Sequence, residues 1–456
     1  MLKSENYSDR MMIMPEPLAV STHHHMHIRW HNLAQRDSVP VTEASLTARA
    51  AVVGRVGIMM LACGTGAWRV REAMDRVSRR LHLTCSADVG LIAISFTCFE
   101  NGHHYSQTLS LAASGVNTDK LSVMETFVDH FDSVLTLTPQ EIHTKLDGIQ
   151  QKPGNYTPAL LGLASAAACA AFVFLLGGGP IEMLGCFIGA GIGNWLRAIM
   201  GRHHMTVIAS TALSVAAACL AYLAVFAALA AGLHIRAAHE AGYIGAMLFV
   251  IPGFPFITSG LDICKQDMRS GLERGAFAIM VITVATITGW LVAVLVHLQP
   301  ADFIPLGLGR WSLLAGRLIA SFVGVYGFSI MFNSPVKMAA SAGLIGAAAN
   351  TLRLTLIDWA AMPPTAAAFL GALLAGLLAS AVHAYRRGFP RISLTVPAIV
   401  IMVPGLYMYR GMYALGLNHF AIGGSWLVRA IMIVVALPLG LATARILTDK
   451  KWRHIS

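Results

Sequence analysis

Residues 245–263 read GAMLFVIPGFPFITSGLDI, and residues 394–411 read LTVPAIVIMVPGLYMYRG. Both runs are apolar enough to enter a bilayer. Both are interrupted midway, by Pro252-Gly253-Phe254-Pro255 in the first and by Pro404-Gly405 in the second. Proline lacks the amide donor and clashes with the preceding turn, and glycine lets the backbone leave helical geometry. Hydrocarbon offers no partner to a freed backbone group, so such a break survives only inside protein or beside a polar cavity. Two interrupted spans in corresponding places mark the binding site of a transporter.

The composition agrees with a membrane protein. The 456 residues are 56% hydrophobic and only 12% charged, against about 25% charged in soluble domains, and the mean hydropathy is +0.63. The deficit is uneven and divides the chain. Residues 1–42 read as a disordered tail, 43–150 as a small cytosolic α/β domain, and 449–456 as a cytosolic tail. Residues 151–298 and 299–448 are successions of apolar runs of roughly 18–25 residues, the length that spans a bilayer. No secretory signal is expected, because the first residues are polar. The formal charge of +10 reads as positive-inside loop charge, and no nucleic acid is expected as partner. The seven cysteines include no C-x-x-C pair and read as reduced packing residues. The run from His23 to His27 lacks partners at metal-site spacing; no metal or cofactor is expected.

Within the domain, 46–66 reads as a helix ending at Gly64 and Gly66, and 67–81 as an amphipathic helix. The β-rich run 83–99 leads to a hairpin turn at Asn101-Gly102. A helix follows near 119–132, and Thr138-Pro139-Gln140-Glu141 caps a last one. Cys63-Gly64-Thr65-Gly66 lacks the lysine and flanking strand of a P-loop and reads as a turn. His103 and His104 read as solvated.

The membrane part parses as ten helices near 157–177, 181–200, 205–233, 243–261, 276–298, 311–332, 336–357, 364–384, 393–411 and 425–447. With the domain cytoplasmic, the inside connections hold Arg202, Lys265, Arg269, Arg274, Lys337, Arg386, Arg387 and Arg391, and the tail adds Lys450, Lys451 and Arg453. The outside connections hold only Arg236, Arg310, Arg353 and Arg410. That asymmetry places both termini inside. The second helix of each half carries a related string, IGAGIGNWLR at 188–197 and IGAAANTLR at 345–353, and the fourth carries the break. Five helices per unit force opposite orientation, so the expected fold is a polytopic helical protein of two inverted five-helix repeats, with alternating access around the breaks.

Candidate substrate-pathway residues are Asn194, Pro252, Gly253, Pro255, Ser259, Asn350, Pro404, Gly405, Tyr407 and Arg410. Half-helix N-termini suit a carboxylate and freed carbonyls an ammonium group, which points to a small zwitterion or a dicarboxylate. Gly185, Gly189 and Gly193 suit close helix packing or substrate contact. Asp262 and Glu182 are proton-coupling candidates, with an interfacial position as the alternative. There is no Walker A string, so an ion or substrate gradient is the expected driving force.

The segments GTGAWRVREAM (64–74), PGFPFITSGLDI (252–263) with Asp267 and Ser270-Gly271 beyond it, and VPGLYMYRGMY (403–413) resemble the threonine/serine exporter family in its fused form. The second half resembles that family's smaller partner subunit, whose two-gene form is linked to succinate export. The resemblance spans about 45–447, and the sequence departs from the family pattern at Arg71. It implies an inner-membrane secondary exporter of threonine and serine, driven by the proton motive force, with a domain sometimes described as hydrolase-like. The expected function is therefore secondary export, not catalysis, with lipid, protons and a small solute as partners and a homo-oligomer left open. Alternatives are export of succinate or a related dicarboxylate, a membrane-anchored hydrolase acting through residues 43–150, and a passive channel.

Overall fold

The computed structural model describes residues 28–34, 38–233, 242–304, 306–386 and 388–454. The His23–His27 run, Arg236 and Arg387 lie outside them.

The N-terminal domain is built on α2 (Leu46–Ala62), started by Ser45, whose side chain accepts from Ala48 N. This helix is buried on all sides, which accounts for its lack of a polar face. One side meets the antiparallel sheet β1 (Thr84–Val89), β2 (Ala93–Glu100), β3 (His103–Ser110) in sequential order. The approach at Gly54 is so close that a Cβ would stand 2.5 Å from Phe96. The other side meets α3 (Ala67–Arg80) and α5 (Pro139–Gln151). Helix α5 starts with the expected capping box of Thr138 and Glu141, and α4 (Thr118–Asp129) is capped by Asn117. The extended run 83–99 is divided by a turn at Gly90–Ile92, which makes it two strands before the Asn101-Gly102 turn. His103 and His104 are exposed.

The expectation of a free tail through residue 42 does not hold for its described part. A short helix α1 (Trp30–Leu33) packs on the domain. Trp30 is buried against His143, and His31 bridges Gln140 Oε1 at 2.6 Å and Asp147 Oδ2 at 2.7 Å.

Among the described residues, eight helices are long and apolar enough to cross a membrane. They are α6 (Pro158–Leu175), α7 (Pro180–Arg202), α8 (Val207–Leu233), α11 (Met268–Leu295), α12 (Arg310–Met331), α13 (Val336–Ala360), α14 (Pro364–Tyr385) and α17 (Phe420–Thr448). Two bent helix pairs raise that number to as many as ten, if each pair is counted as one span. One is α9 (Tyr243–Ala246), with the 3₁₀ turn Leu248–Val250, followed by α10 (Gly253–Cys264). The other is α15 (Arg391–Val400) followed by α16 (Gly405–Gly416). The protein is polytopic and helical, with a small sheet domain before the bundle.

The domain touches the α10–α11 and α12–α13 turns, the α14–α15 connection and the end of α17, which together define a near face. The α6–α7 and α11–α12 connections lie at the far face. Several loop charges sit elsewhere than the sequence placed them. Helix α11 begins at Met268, well before 276, so Arg269 and Arg274 are helical and Arg274 is buried. Arg353 and Arg410 lie within α13 and α16 and not in connections. The last residues fold back: Trp452 is buried beside Trp68, and the Arg445 guanidinium stands 5.3 Å and 5.4 Å from those two rings.

Candidate functional site

The two breaks are the same local structure. Pro252 has φ −79° and ψ 55°, and Pro404 has φ −82° and ψ 58°. Gly253 N donates to Ile251 O at 2.8 Å, and Gly405 N to Val403 O at 2.9 Å. Each proline is thus the centre of an inverse γ-turn, which gives the carbonyl just before it a donor where the helix stops. The spans bend there by 51° and 50°.

The breaks also meet. A Cβ on Gly253 would stand 2.1 Å from Val400 Cγ2, and one on Gly405 would stand 2.1 Å from Ile251 Cδ1. Each glycine therefore admits the other break's side chain. Tyr243 and Tyr409, both fully buried, join the two broken spans by a hydroxyl–hydroxyl hydrogen bond of 2.8 Å.

A cavity of about 650 Å³ reaches from the far face to the second break, lined by Pro404, Gly405, Tyr407, Arg410, Arg317 and Arg353 among others. Its size suits a small ligand. Arg317 is ion-paired with Asp358 at 2.5 Å, and Arg410 with Asp302 at 2.7 Å. Arg353 donates from Nε to Asn350 Oδ1 at 2.9 Å, and no carboxylate among the described residues lies within ion-pair distance of it. The lining therefore carries three arginines against two aspartates, a surplus that favours an anion. The first turn of α16 adds the partial positive charge of a helix start.

The near face is fastened to the domain. Asp262, fully buried, accepts from Ala67 N at 3.0 Å and from Ser270 Oγ at 2.8 Å, and pairs with Arg274 Nε at 3.2 Å. Arg274 also donates to Thr65 O at 2.8 Å and Gly64 O at 3.3 Å. The Cys63–Gly66 turn is thus fastened to α10 and α11 through a buried ion pair. Gly64 has φ +85°, a left-handed turn position that favours glycine. The Gly66 Cα sits where any Cβ would lie 2.5 Å from Asp262 Oδ1. Asn117 N donates to Cys63 O at 3.1 Å, linking this turn to a second seal. There Thr118 meets Ser334 Oγ at 2.7 Å and Phe332 O at 3.1 Å, over the α12–α13 turn.

The proposed pathway residues are not all gathered in one place. Pro404, Gly405, Tyr407 and Arg410 line the cavity. Pro252 and Gly253 form the opposing break, with Pro255 one turn into α10. Ser259 donates to Gly271 O at 2.6 Å and ties α10 to α11. The two asparagines hold helices and do not line the cavity. Asn194 Nδ2 donates to Leu161 O at 2.9 Å, and Asn350 Nδ2 to Ser321 Oγ at 2.8 Å, each joining the second helix of its half to the first. Gly185, Gly189 and Gly193 all face side chains or backbone of α8, where a Cβ would stand 2.6 Å or 2.8 Å away. Glu182 caps Gly179 N at 2.9 Å at the start of α7.

Sequence reasoning missed Arg317, Arg353, Tyr243 and Arg274. An arginine inside an apolar run marks a functional position by its cost, and Arg317 in GRLIASF carries that signal. In the domain, burial pushes the Cys63 thiol up to about 12, so it stays protonated and makes a poor nucleophile.

Residues 51–297 match the family described as "Putative threonine/serine exporter", and residues 317–447 match "Threonine/Serine exporter, ThrE". The chain belongs to the threonine/serine exporter family. It is 24% identical over 409 residues to the "Probable threonine/serine exporter" of Mycobacterium tuberculosis, covering 87% of this chain and 75% of the relative. To the "Probable succinate transporter subunit YjjP" of Escherichia coli it is 24% identical over 246 residues, covering 52% of this chain and 90% of that one. An "Uncharacterized protein" of Haemophilus influenzae is 30% identical over 175 residues, which cover 33% of this chain and 57% of the relative's length. No solved structure matches. In this member of the threonine/serine exporter family, the first family match spans the sheet domain and the first break, and the second spans the cavity arginines and the second break.

Proposed function

We propose that this protein is a secondary exporter of threonine and serine, coupled to the proton gradient and working by alternating access about the two breaks. The observation that carries this reading is the arginine-lined cavity ending on the Val403–Gly405 break and open at the far face, while contacts such as Ala67 N to Asp262 fasten the domain to the near face. In this reading the membrane is the inner membrane, both termini are cytoplasmic, and the structure is the outward-facing state. The halves act as inverted repeats, supported by the matched γ-turns, the equal bends and the reciprocal glycine contacts.

Arg353 anchors the substrate carboxylate, since its charge is not committed to an acid. Asp302 and Asp358 at the cavity mouth attract the ammonium group. Asp262 is the coupling residue: protonating it removes the carboxylate that holds Arg274 and the Gly64–Gly66 turn, and so frees the near face. Glu182, engaged in capping, is the weaker candidate.

A dicarboxylate is the second reading, favoured by the three cavity arginines. It requires Arg317 or Arg410 to exchange its aspartate for the second carboxylate. Counterflow in proteoliposomes separates the two. Labelled threonine should accumulate against unlabelled serine and be indifferent to succinate. Counterflow of succinate alone would replace the amino-acid reading with the dicarboxylate one.

A further inference from the structure

Strand β1 sets Cys85 directly opposite Cys98 on β2. Beside the turn, Gly90 N donates to Ala93 O at 2.8 Å, so Gly90 and Ala93 form a hydrogen-bonded pair. Hydrogen-bonded and non-hydrogen-bonded pairs alternate along an antiparallel ladder. The register runs unbroken from the turn, so Asp88/Ser95, Ser86/Thr97 and Thr84/Phe99 are of the bonded type. Val89/Ile94, Ala87/Phe96 and Cys85/Cys98 are of the other type. In a non-hydrogen-bonded pair the Cα atoms stand about 4.5 Å apart, with the side chains drawn together. That lies within the roughly 4.4–6.8 Å over which a disulfide closes. Both cysteines are free thiols in this structure. Cys98 is fully buried beneath the sheet, and Cys85 is half-buried.

We propose that Cys85 and Cys98 form a reversible cross-strand disulfide, made by exchange with a low-molecular-weight disulfide. The neighbouring Cys98 thiol holds the Cys85 thiol below its ordinary range, which favours thiolate at the more accessible of the two sulfurs. That thiolate attacks one sulfur of the oxidant, forms a mixed disulfide and expels one small thiolate. The Cys98 sulfur then attacks Cys85 Sγ, closes the protein disulfide and expels the second. Two electrons pass from the cysteine pair to the oxidant, and the two thiol protons end on the two departing thiols. The bond would stiffen a hairpin whose tip rests on α11. There Leu91 N donates to Glu273 Oε2 at 2.6 Å, and Asp88 pairs with Arg269.

Purified full-length protein in detergent is incubated with oxidised glutathione, alkylated without reduction, digested and mapped by mass spectrometry. The expected product is a peptide pair joined through Cys85 and Cys98, lighter by two hydrogens than the free peptides and separated by dithiothreitol. Cys98→Ser should leave a lasting glutathione adduct on Cys85, because nothing resolves it. Cys264→Ser, which alters the exposed cysteine at the near face, should leave the joined pair unchanged. Wild-type protein that ends with glutathione on Cys85, with both thiols alkylated, or with Cys85 joined to Cys264 would overturn the proposal.

Discussion

Gly66→Ala isolates the contact between the domain and the first broken span. The backbone there has φ −66° and ψ 155°, which alanine adopts without strain, so the substitution adds only a methyl group. Its Cβ would lie 2.5 Å from Asp262 Oδ1, and the carboxylate must retreat by most of an ångström. That stretches the 3.0 Å bond from Ala67 N beyond hydrogen-bonding range. A hydrogen bond to a charged group contributes about 1.5–3 kcal/mol, equivalent to roughly a 10- to 150-fold shift toward the undocked turn. Hydrogen exchange read on the peptide containing Ala67 should accelerate by that factor. Gly148→Ala is the control. It lies in α5 with nothing within 4 Å of the added methyl, and it should be neutral or stabilise by up to about 1 kcal/mol. Unchanged exchange at Ala67 in the Gly66 variant would refute the claim that this turn latches the near face.

Other perturbations address the remaining parts. Gly405→Leu and Gly253→Leu each force a side chain into the opposing break, where a Cβ alone meets a methyl carbon at 2.1 Å. Both should insert normally, judged by expression in the membrane fraction, yet lose flux; wild-type flux would mean the breaks are ordinary kinks. Arg353→Gln should raise KM for threonine at least tenfold, about 1.4 kcal/mol, and Arg353→Lys should recover part of the loss; an unchanged KM would remove Arg353 from the site. For Glu72, burial alone would raise the carboxyl, but the hydrogen bond from Lys451 and the charges of Arg69 and Arg76 hold it down to about 2. A depressed value contributes stability above the ordinary 4.5, and that contribution is lost as pH falls from 4.5 toward 2. The unfolding difference between wild type and Lys451→Ala should therefore be constant above that window and shrink through it.

The bundle was legible because hydrocarbon leaves little choice. Apolar runs of spanning length must be helices, and Pro-Gly inside such a run must be a break. Cap signals were equally direct, as Thr138 with Glu141 shows. The turn dividing residues 83–99 was hidden because Gly90-Leu91-Ile92 carries one turn residue among apolar ones, and its stability comes from Glu273 on a distant helix. Arg274 and Arg353 were read as loop charges because the groups that surround them come from elements far away in sequence. The Gly64 and Thr65 carbonyls serve the first, and the cavity surrounds the second. The same limit applied to Asn194 and Asn350. Their repeated string was visible, but only packing shows that each ties a helix to its neighbour. For Trp30 and His31, a polar neighbourhood concealed anchoring by Asp147 and His143 more than a hundred residues away.

The central claim is coupled transport through the far-facing cavity. Its most direct test is the flux of labelled threonine and serine in proteoliposomes of the purified protein, with and without an imposed pH gradient. The account predicts flux that rises with the gradient in the wild type and collapses in Arg353→Gln. Amino-acid flux indifferent to the gradient, or equal in the two proteins, would contradict it.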